Sequence, residues 1–418
     1  MTSPAGPPPN PRIEALRHVV PSDTERSPHG YGIDTVEPLI AFSPDDRHDV
    51  AALLRAADEA GLVVVPQGGR TALTLGRPIA RYDVALETRG LARVVEYVPD
   101  DLTLTVEAGV HLDALQQTLG EHGQYLPIDP PPDDHVSIGG LLATGRSGAW
   151  RGHLPAARDL LLGAVVAMAT GELAKSGGRV VKNVTGYDMH RLHTGALGAF
   201  GVIVEASFKV APLPPSTRTL AVRTDTLVEA GALAMRLWNA GLAARALSVL
   251  APEIAERLGM TAVPTVLLEL AGLEVSVDRS TQIVREANPT AEEPTGTPWP
   301  SLRRLHGDRV ATVVRLGVPS TAVTETIEAV RAAGCLAWGH IASGAVIGHT
   351  ASLDASVVER LRAFATERGG FLQLEAGSRA LRTAVDPFGP GEVDLVRSLK
   401  ARFDARGTLN RGRWMEGV

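Results

Sequence analysis

A chain of 418 residues exceeds what one compact core usually holds and predicts two or three domains. Its 44% hydrophobic and 21% charged residues fit a soluble globular protein, and a net charge of -6 offers no basic face for nucleic acid. The single cysteine, Cys335, excludes an internal disulfide and any cysteine-built zinc or iron–sulfur site.

The opening MTSPAGPPPNPRIEALRHVV is proline-rich and lacks an apolar signal core, so residues 1–35 read as a disordered tail. In SPDDRHDVAALLRAADEAG, Ser43 is a candidate N-cap and Pro44 a first helical residue. Leu53, Leu54 and Ala57 form the apolar stripe, and Gly61 closes the helix. LVVVP is a β-branched run that stops at Pro66, before the glycine-rich QGGRTALTLG. YDVALET, ARVVEYVP and LTLTVEAGV read as strands, and HLDALQQTLGEHG as a helix with Leu112, Leu115 and Leu119 on one face. A second glycine loop, PPPDDHVSIGGLLATGRSGAWRG, follows. LLLGAVVAMAT (Leu160 to Thr170) falls short of the roughly 18 residues of a membrane helix. It reads as a buried strand pair or as one strand bent at Gly163. The third glycine-rich stretch, GGRVVKNVTGYDMHRLHTGALGAF, leads into the strand GVIVEASFKVAPLP.

Beyond Pro215, strand-like LAVRT, VLLELAGL and ATVVRLGVP alternate with helical LVEAGALAMRLWNAGLAARAL, STAVTETIEAVRAAG and SVVERLRAFATERGG. That alternation predicts a sheet backed by helices over residues 215–388. The last thirty residues carry one amphipathic helix and a turn.

Glycine lets several backbone N–H groups approach one anion because no side chain intervenes. Gly68-Gly69, Gly139-Gly140 with Gly145 and Gly148, and Gly195-Gly198-Gly201 each lie at a strand edge. Any one of them reads equally well as a turn; three in one domain favour a large ligand carrying a pyrophosphate. Neither the dinucleotide fingerprint G-x-G-x-x-G after a first strand nor G-x-x-x-x-G-K-[ST] is present.

VVVPQGGRTALTLG, DLTLTVEAGVHLDALQQTLGEHGQYLPIDPP, SIGGLLATGRSG, ARDLLLG and GGRVVKNVTGYDMHRLHTGALGAFGVI, in this order, resemble the PCMH-type FAD-binding domain of the vanillyl-alcohol-oxidase superfamily. Within it they are most similar to the FAD-binding E subunit of bacterial glycolate oxidase. The likeness is dense from Pro38 to Pro214, loose in the middle third, and returns in SLKARFDARGTLNRGR. It implies an α+β fold: a two-part FAD-binding domain over 36–214, a smaller α+β cap or substrate domain over 215–388, and a segment 389–418 returning to the first.

It further implies that Pro66, Gln67, Gly68, Gly69, Arg70, Thr71 and Ala72 surround the diphosphate. Ser137, Ile138, Gly139 and Gly140, with Ala143, Thr144, Ser147 and Gly148, would line pyrophosphate and flavin. Gly201, Val202 and Ile203 would meet the adenosine end, and Lys182 and Asn183, with Thr185 to Asp188, the ring system. Where relatives show G-G-G-T this chain has Gly69-Arg70-Thr71, and Arg70 either clamps a phosphate oxygen or points to solvent. QGGRTALTLG holds no His or Cys to tether a flavin, so the FAD is expected to be non-covalent.

The resemblance implies oxidation of a small 2-hydroxy acid beside a second flavoprotein subunit and an iron–sulfur subunit. It also implies a cytoplasmic location, peripheral at the inner membrane through those partners, with no direct membrane insertion. The alternative is a non-catalytic FAD-holding or scaffold subunit. Two-hydroxy-acid dehydrogenases of the superfamily carry H-x-G-D-G-N-x-H; this chain keeps His340 and Gly344 but has Ser343 and Ile347 at the aspartate and second histidine, with His349 two residues late. No metal is therefore expected, no catalytic residue is assigned, and His340 is either a proton acceptor or a core histidine. His190 and His193, at i, i+3, read as a helix surface rather than a metal pair. His122 reads as a helix C-terminal residue, and Cys335 and Trp338 as core.

Overall fold

The computed structural model describes residues 10–131, 135–178, 186–391, 393–415 and 418. Two sheets build the N-terminal unit. The first contains β1 (Glu25–Arg26), β2 (Ile40–Phe42), β3 (Val64–Gln67) and β4 (Val84–Glu87), in the order β1-β2-β4-β3. Its parallel strands β2, β4 and β3 are backed by α1 (Pro11–Arg17) and α2 (Arg47–Glu59). The second sheet is antiparallel: β5 (Val94–Val98), β6 (Thr103–Glu107), β7 (Leu161–Ala167), β8 (Leu173–Gly177) and β9 (Val202–Lys209), ordered β5-β6-β9-β7-β8. Period-2 alternation gives this sheet two apolar faces. Val165, Ala167, Val202 and Val204 join the α1–α2 core. Ala164, Val166, Ile203 and Phe208 join the core of α3 (Leu112–Gly120) and α4 (Ile138–Thr144).

The second unit is a seven-stranded antiparallel sheet. Its strands are β10 (Ser216–Arg223), β11 (Ala244–Leu250), β12 (Thr265–Gly272), β13 (Thr312–Gly317), β14 (Leu336–His340), β15 (Ala345–Thr350) and β16 (Phe371–Ala376). They run in the order β10-β12-β11-β14-β15-β13-β16. Helices Leu227–Asn239, Glu274–Ala287, Val323–Ala332 and Ala355–Glu367 cover one face. The other face carries helix Pro298–His306 and receives Ala149 and Trp150 from the N-terminal unit. Alternation in TVVRLG and FLQLEA sets Val314, Leu316, Leu372 and Leu374 under the helices. Arg315, Gln373 and Glu375 therefore face the first unit.

After the helix Val393–Phe403 the chain returns to the edge of β3. Val64 N donates to Thr408 O (2.7 Å) and Asn410 N to Val64 O (3.0 Å), so Leu409 extends the first sheet as a parallel bridge. Buried Lys400 Nζ donates to Ala199 O, Leu409 O and the Asp404 carboxylate at 2.8, 2.6 and 2.7 Å. Among the described residues no helix is long and apolar enough to cross a membrane.

Three sequence expectations need correcting here. Residues 10–35, read as part of a disordered tail, are ordered. Asn10 caps α1, Ile13 and Leu16 bury one turn apart, and Arg12 donates to the α2-terminal carbonyls of Ala60 and Gly61 (2.7 and 2.5 Å). Helix α2 starts at Arg47 with Asp46 as its cap, accepting from His48 N, because Ser43 N is held by Thr24 O beside the β1–β2 pair. Strand β3 continues through Pro66 instead of stopping there; it lies at the sheet edge, where a missing N–H is tolerated. The run from Leu160 is a single strand whose register with β9 shifts between Ser207, opposite Gly163, and Phe208.

If α1 is an integral part of the first core, Leu16→Ala should cost about 2–5 kcal/mol of stability. Chemical denaturation of the two proteins measures this; an unchanged transition would show that the segment contributes nothing.

Candidate functional site

Strand β3 delivers the chain into Gly68–Ala72, where the loop meets the start of α4. Ser137, the α4 N-cap, accepts through Oγ from both Gly69 N and Gly140 N, each at 3.2 Å. One hydroxyl thereby joins the first two glycine loops. A Cβ on Gly69 would overlap the His135 carbonyl oxygen and one on Gly68 the Ser137 hydroxyl, so these glycines allow chain to lie on chain. Gly139 N is held by Ala108 O at 2.7 Å. The amides of Gly69, Gly139 and Gly140, expected to face a phosphate, therefore have partners within the protein.

The amides of Gly68, Arg70, Thr71 and Ala72 have no acceptor among the described residues. Arg70 sits in the left-handed region (φ 62°), which bends this run of donors into a concave niche of about 80 Å³. Ala143 and Thr144 wall the niche from α4, and Asn410 and Arg413 wall it from the C-terminal turn. Arg413 is 5% exposed; its Nη2 donates to Leu73 O and Leu75 O at 2.6 and 3.1 Å. Burial, with Arg382 nearby, pushes its guanidinium down to about 10. The Arg70 guanidinium stacks on Tyr31, 5.2 Å from the ring centre. Sequence reasoning missed Asn410 and Arg413; their only signal was the polar turn LNRGR after an amphipathic helix.

Leu75, Thr144 and Leu197 border both this niche and a cleft of about 920 Å³ between the two units. Ser147 and Gly148 line the cleft from the first unit, and Arg315, Gln373, Glu375 and Ser343 from the second. Glu375 Oε2 accepts from Arg146 Nε (2.9 Å) and from His306 Nε2 (3.0 Å), and it forms an ion pair with Arg146 Nη2 at 2.8 Å. Its Oε1 accepts from Arg315 Nε (2.7 Å). Burial alone would raise this carboxyl; Arg146, His306 and Arg315 outweigh it and hold it well below the usual carboxylate range. A second tie lies beside the first. Trp150 Nε1 donates to Glu269 (2.7 Å), Arg245 grips the same carboxylate, and Trp150 N donates to Asp129 (3.0 Å). Burial pushes Asp129 up to about 7.

The remaining expected residues lie elsewhere. Val202 and Ile203 pair with Ala167 and Val166 inside the second sheet; with Gly201 they line neither niche nor cleft. Ile138 is buried in the α3–α4 core. Lys182, Asn183 and Thr185 fall outside the described residues. His190 and His193 are not on a helix surface: both are buried, His190 beside Ser176 Oγ (3.1 Å) and His193 edge-on to Phe403. The i, i+3 spacing concealed this because the segment is a 3-10 turn tucked against β7 and β8. His340 is a core histidine, 2.8 Å from Ser248 Oγ, and Ile347 packs beside Trp338. His349 bonds Asp308 at 3.0 Å. Cys335 is buried in the helix-covered core, and His122 follows α3 with its ring against Tyr97. Among the described residues no three His, Cys, Asp or Glu side chains converge as a metal-holding group.

Buried polar atoms without a protein partner test whether a dinucleotide fits. Gln67 Oε1, Arg70 Nε, Asn410 Oδ1 and Arg413 Nε are such atoms in niche residues, and Thr194 Oγ1 and Ser343 Oγ in cleft residues. Backbone donors and cations in the small niche and hydroxyls in the adjoining larger cleft fit a molecule with a diphosphate and a flat polar ring.

Residues 38–177 match the FAD binding domain family. The chain is 33% identical over 220 residues to D-2-hydroxyglutarate dehydrogenase of Xanthomonas citri pv. viticola, covering 50% of this chain and 47% of that protein. It is 35% identical over 165 residues to glycolate oxidase subunit GlcE of Escherichia coli, covering 39% and 46%. A D-lactate dehydrogenase of Anaerostipes hadrus is 24% identical over 427 residues, covering 90% and 89%. The matches to the first two span less than half of those relatives. The fold resembles p-cresol methylhydroxylase, with a TM-score of 0.75 at 13% identity and 96% of each chain covered.

Two outcomes test this site. Arg413→Gln should weaken FAD binding about tenfold or more, measured by flavin fluorescence on apoprotein whose melting is followed in parallel. Retained FAD affinity would remove Arg413 from the site. The second concerns acid. Burial pushes His340 to about 3 and His193 to about 4. The unfolded chain therefore binds more protons below about pH 6.5, so each contribution is full above that pH and lost as pH falls, at about 1.4 kcal/mol per pH unit. Denaturation midpoints should drop between pH 7 and pH 5, and less steeply in His340→Asn.

Proposed function

We propose that this chain, whose residues 38–177 match the FAD binding domain family, holds FAD non-covalently and serves as the FAD-bearing subunit of an oxidoreductase acting on a small 2-hydroxy acid such as glycolate. The observation that carries the reading is the set of partnerless buried polar atoms on residues of the glycine niche and of the cleft that shares Leu75, Thr144 and Leu197 with it. FAD, when bound, supplies a hydride acceptor. The amides of Gly68 and Arg70–Ala72, with Arg413, would hold its diphosphate. Thr194 and Ser343 would offer hydroxyls at the wide end. Among the described residues lining niche and cleft there is no His, Cys or Tyr, which supports dissociable cofactor.

The names of the relatives support the substrate class: hydroxyglutarate, lactate and glycolate are all 2-hydroxy acids. The likeness to glycolate oxidase subunit GlcE supports a multi-subunit assembly, and a single cysteine requires any iron–sulfur cluster to lie on another chain. A second reading, a scaffold that holds FAD for a partner flavoprotein, is favoured by the cleft carboxylate Glu375. Three cationic or neutral donor side chains engage it, so it is poorly suited to accept a substrate proton.

Purified protein should be yellow with about one acid-releasable FAD per chain. Anaerobic addition of glycolate, D-lactate or D-2-hydroxyglutarate should bleach it. Bleaching only after co-expression with partner subunits would select the scaffold reading; a colourless protein that takes up no FAD would overturn both.

A further inference from the structure

We infer that Arg146 and Arg315 form one anion site for the carboxylate of the substrate, with Glu375 as the residue that positions them. The inference rests on the oxidoreductase reading and deepens it. Two guanidinium groups share a single carboxylate, whose side chain is 2% exposed, while that of Arg146 is 12% exposed. His306, which completes the cluster on Glu375 Oε2, is pushed down by burial. Two guanidiniums thus face one carboxylate, which leaves one positive charge over, on Arg146 (12% exposed) and Arg315 (27% exposed) together. A surplus cation at the edge of a cleft, part shielded from water, favours an anion beside it. The other carboxylate lining the cleft, Asp159, is taken by Arg151 (3.3 Å) and by Ala156 N (3.1 Å).

The hydrogen bonds show which atoms remain. Arg146 uses Nε and Nη2, the latter also donating to His306 O (3.1 Å). Arg315 uses Nε toward Glu375 and Nη2 toward Gln373 Oε1 (2.5 Å). The Nη1 group of each has no acceptor among the described residues, and both residues line the cleft. Neither guanidinium is loose: Arg315 stacks over Phe371, 5.1 Å from the ring centre, and both lie against the same carboxylate. Two braced arginines lining one void, each with an Nη1 that no acceptor among the described residues takes, suit the two oxygens of a carboxylate.

The site is shared between units, which ties it to the cofactor. Arg146 comes from the first unit, one residue after the left-handed Gly145 that ends α4, and Thr144 of α4 borders both niche and cleft. Arg315 comes from β13 of the second unit. A carboxylate bound here is anchored beside the cofactor-holding helix, which leaves the adjacent hydroxyl-bearing carbon as the reacting centre. An alcohol or amide of the same shape gains nothing from the surplus charge.

The test uses the FAD-loaded full-length protein and two readouts. Oxalate, which has no hydroxyl to oxidise, is titrated while the visible flavin spectrum is followed, and glycolate is compared with glycolamide as substrate. Arg315→Gln should weaken oxalate binding about tenfold or more and collapse the preference for glycolate over glycolamide, and Arg315→Lys should restore part of both. Flavin content should not change. Equal oxalate affinity in wild type and Arg315→Gln would overturn the site, as would loss of FAD instead of oxalate, which would assign the charge to the cofactor. If no hydroxy acid reduces the flavin, the oxidoreductase reading falls, while the oxalate titration still decides whether the anion site exists. If Arg315→Gln fails to fold, the ionic-strength dependence of oxalate binding to wild type decides: binding that does not weaken with salt refutes the charge argument.

Discussion

The carboxylate of Glu375 is where the two units become one molecule. It lies on the second unit's sheet and receives a guanidinium from each unit, with the His306 ring closing the cluster. A charge this deeply buried persists only with such a set of donors, so removing any one strands the others. The loop Gly145–Trp150 is thereby fixed across the sheet face, assisted by Trp150 on Glu269 and by Ala149 in the shared core. The cleft exists because that loop is held there. Its cation-rich wall follows from the same contact, since the residues that join the units also line the space between them.

The glycines do two kinds of work. At Gly69 and Gly139 the absent Cβ allows segments to cross at contact distance, with the His135 carbonyl on one and the Ala108 side chain on the other. Gly69 also lines the niche, with its amide already taken by Ser137, whereas Gly139 lies behind the wall. The donors left for a ligand belong to Gly68 and to Arg70, Thr71 and Ala72, non-glycine residues turned inward by one left-handed backbone step. Arg70, an apparent departure from the family pattern, is also the residue that makes this turn. It is part buried, with its guanidinium stacked on Tyr31.

The C-terminal turn makes the first unit discontinuous in sequence. Thr408–Asn410 completes the edge of β3, Asn410 Nδ2 bonds Leu197 O, and Arg413 reaches the carbonyls of the glycine loop. Glycine niche and C-terminal turn thus form together, and the intervening sheet is an insertion between two parts of one core.

Local chemistry in the sequence determined the elements. Alternation in TVVRLG and FLQLEA marked strands, caps and glycines bounded helices, and the glycine loops with their order marked an FAD-binding domain. Alternation also placed Arg315 and Glu375 on one face of their strands, although nothing in the sequence said what that face would meet. Tertiary structure alone decided which amides were left free, that Arg146 and Arg315 share Glu375, that Arg413 closes the niche, and that buried His190, His193 and His340 stand apart from it. Each of these depends on contacts between residues far apart in the chain, and neither a periodicity nor a turn signal carries that distance. A hydrogen-bond donor is available to a ligand only if no other part of the protein has taken it, and that is settled when the whole chain packs.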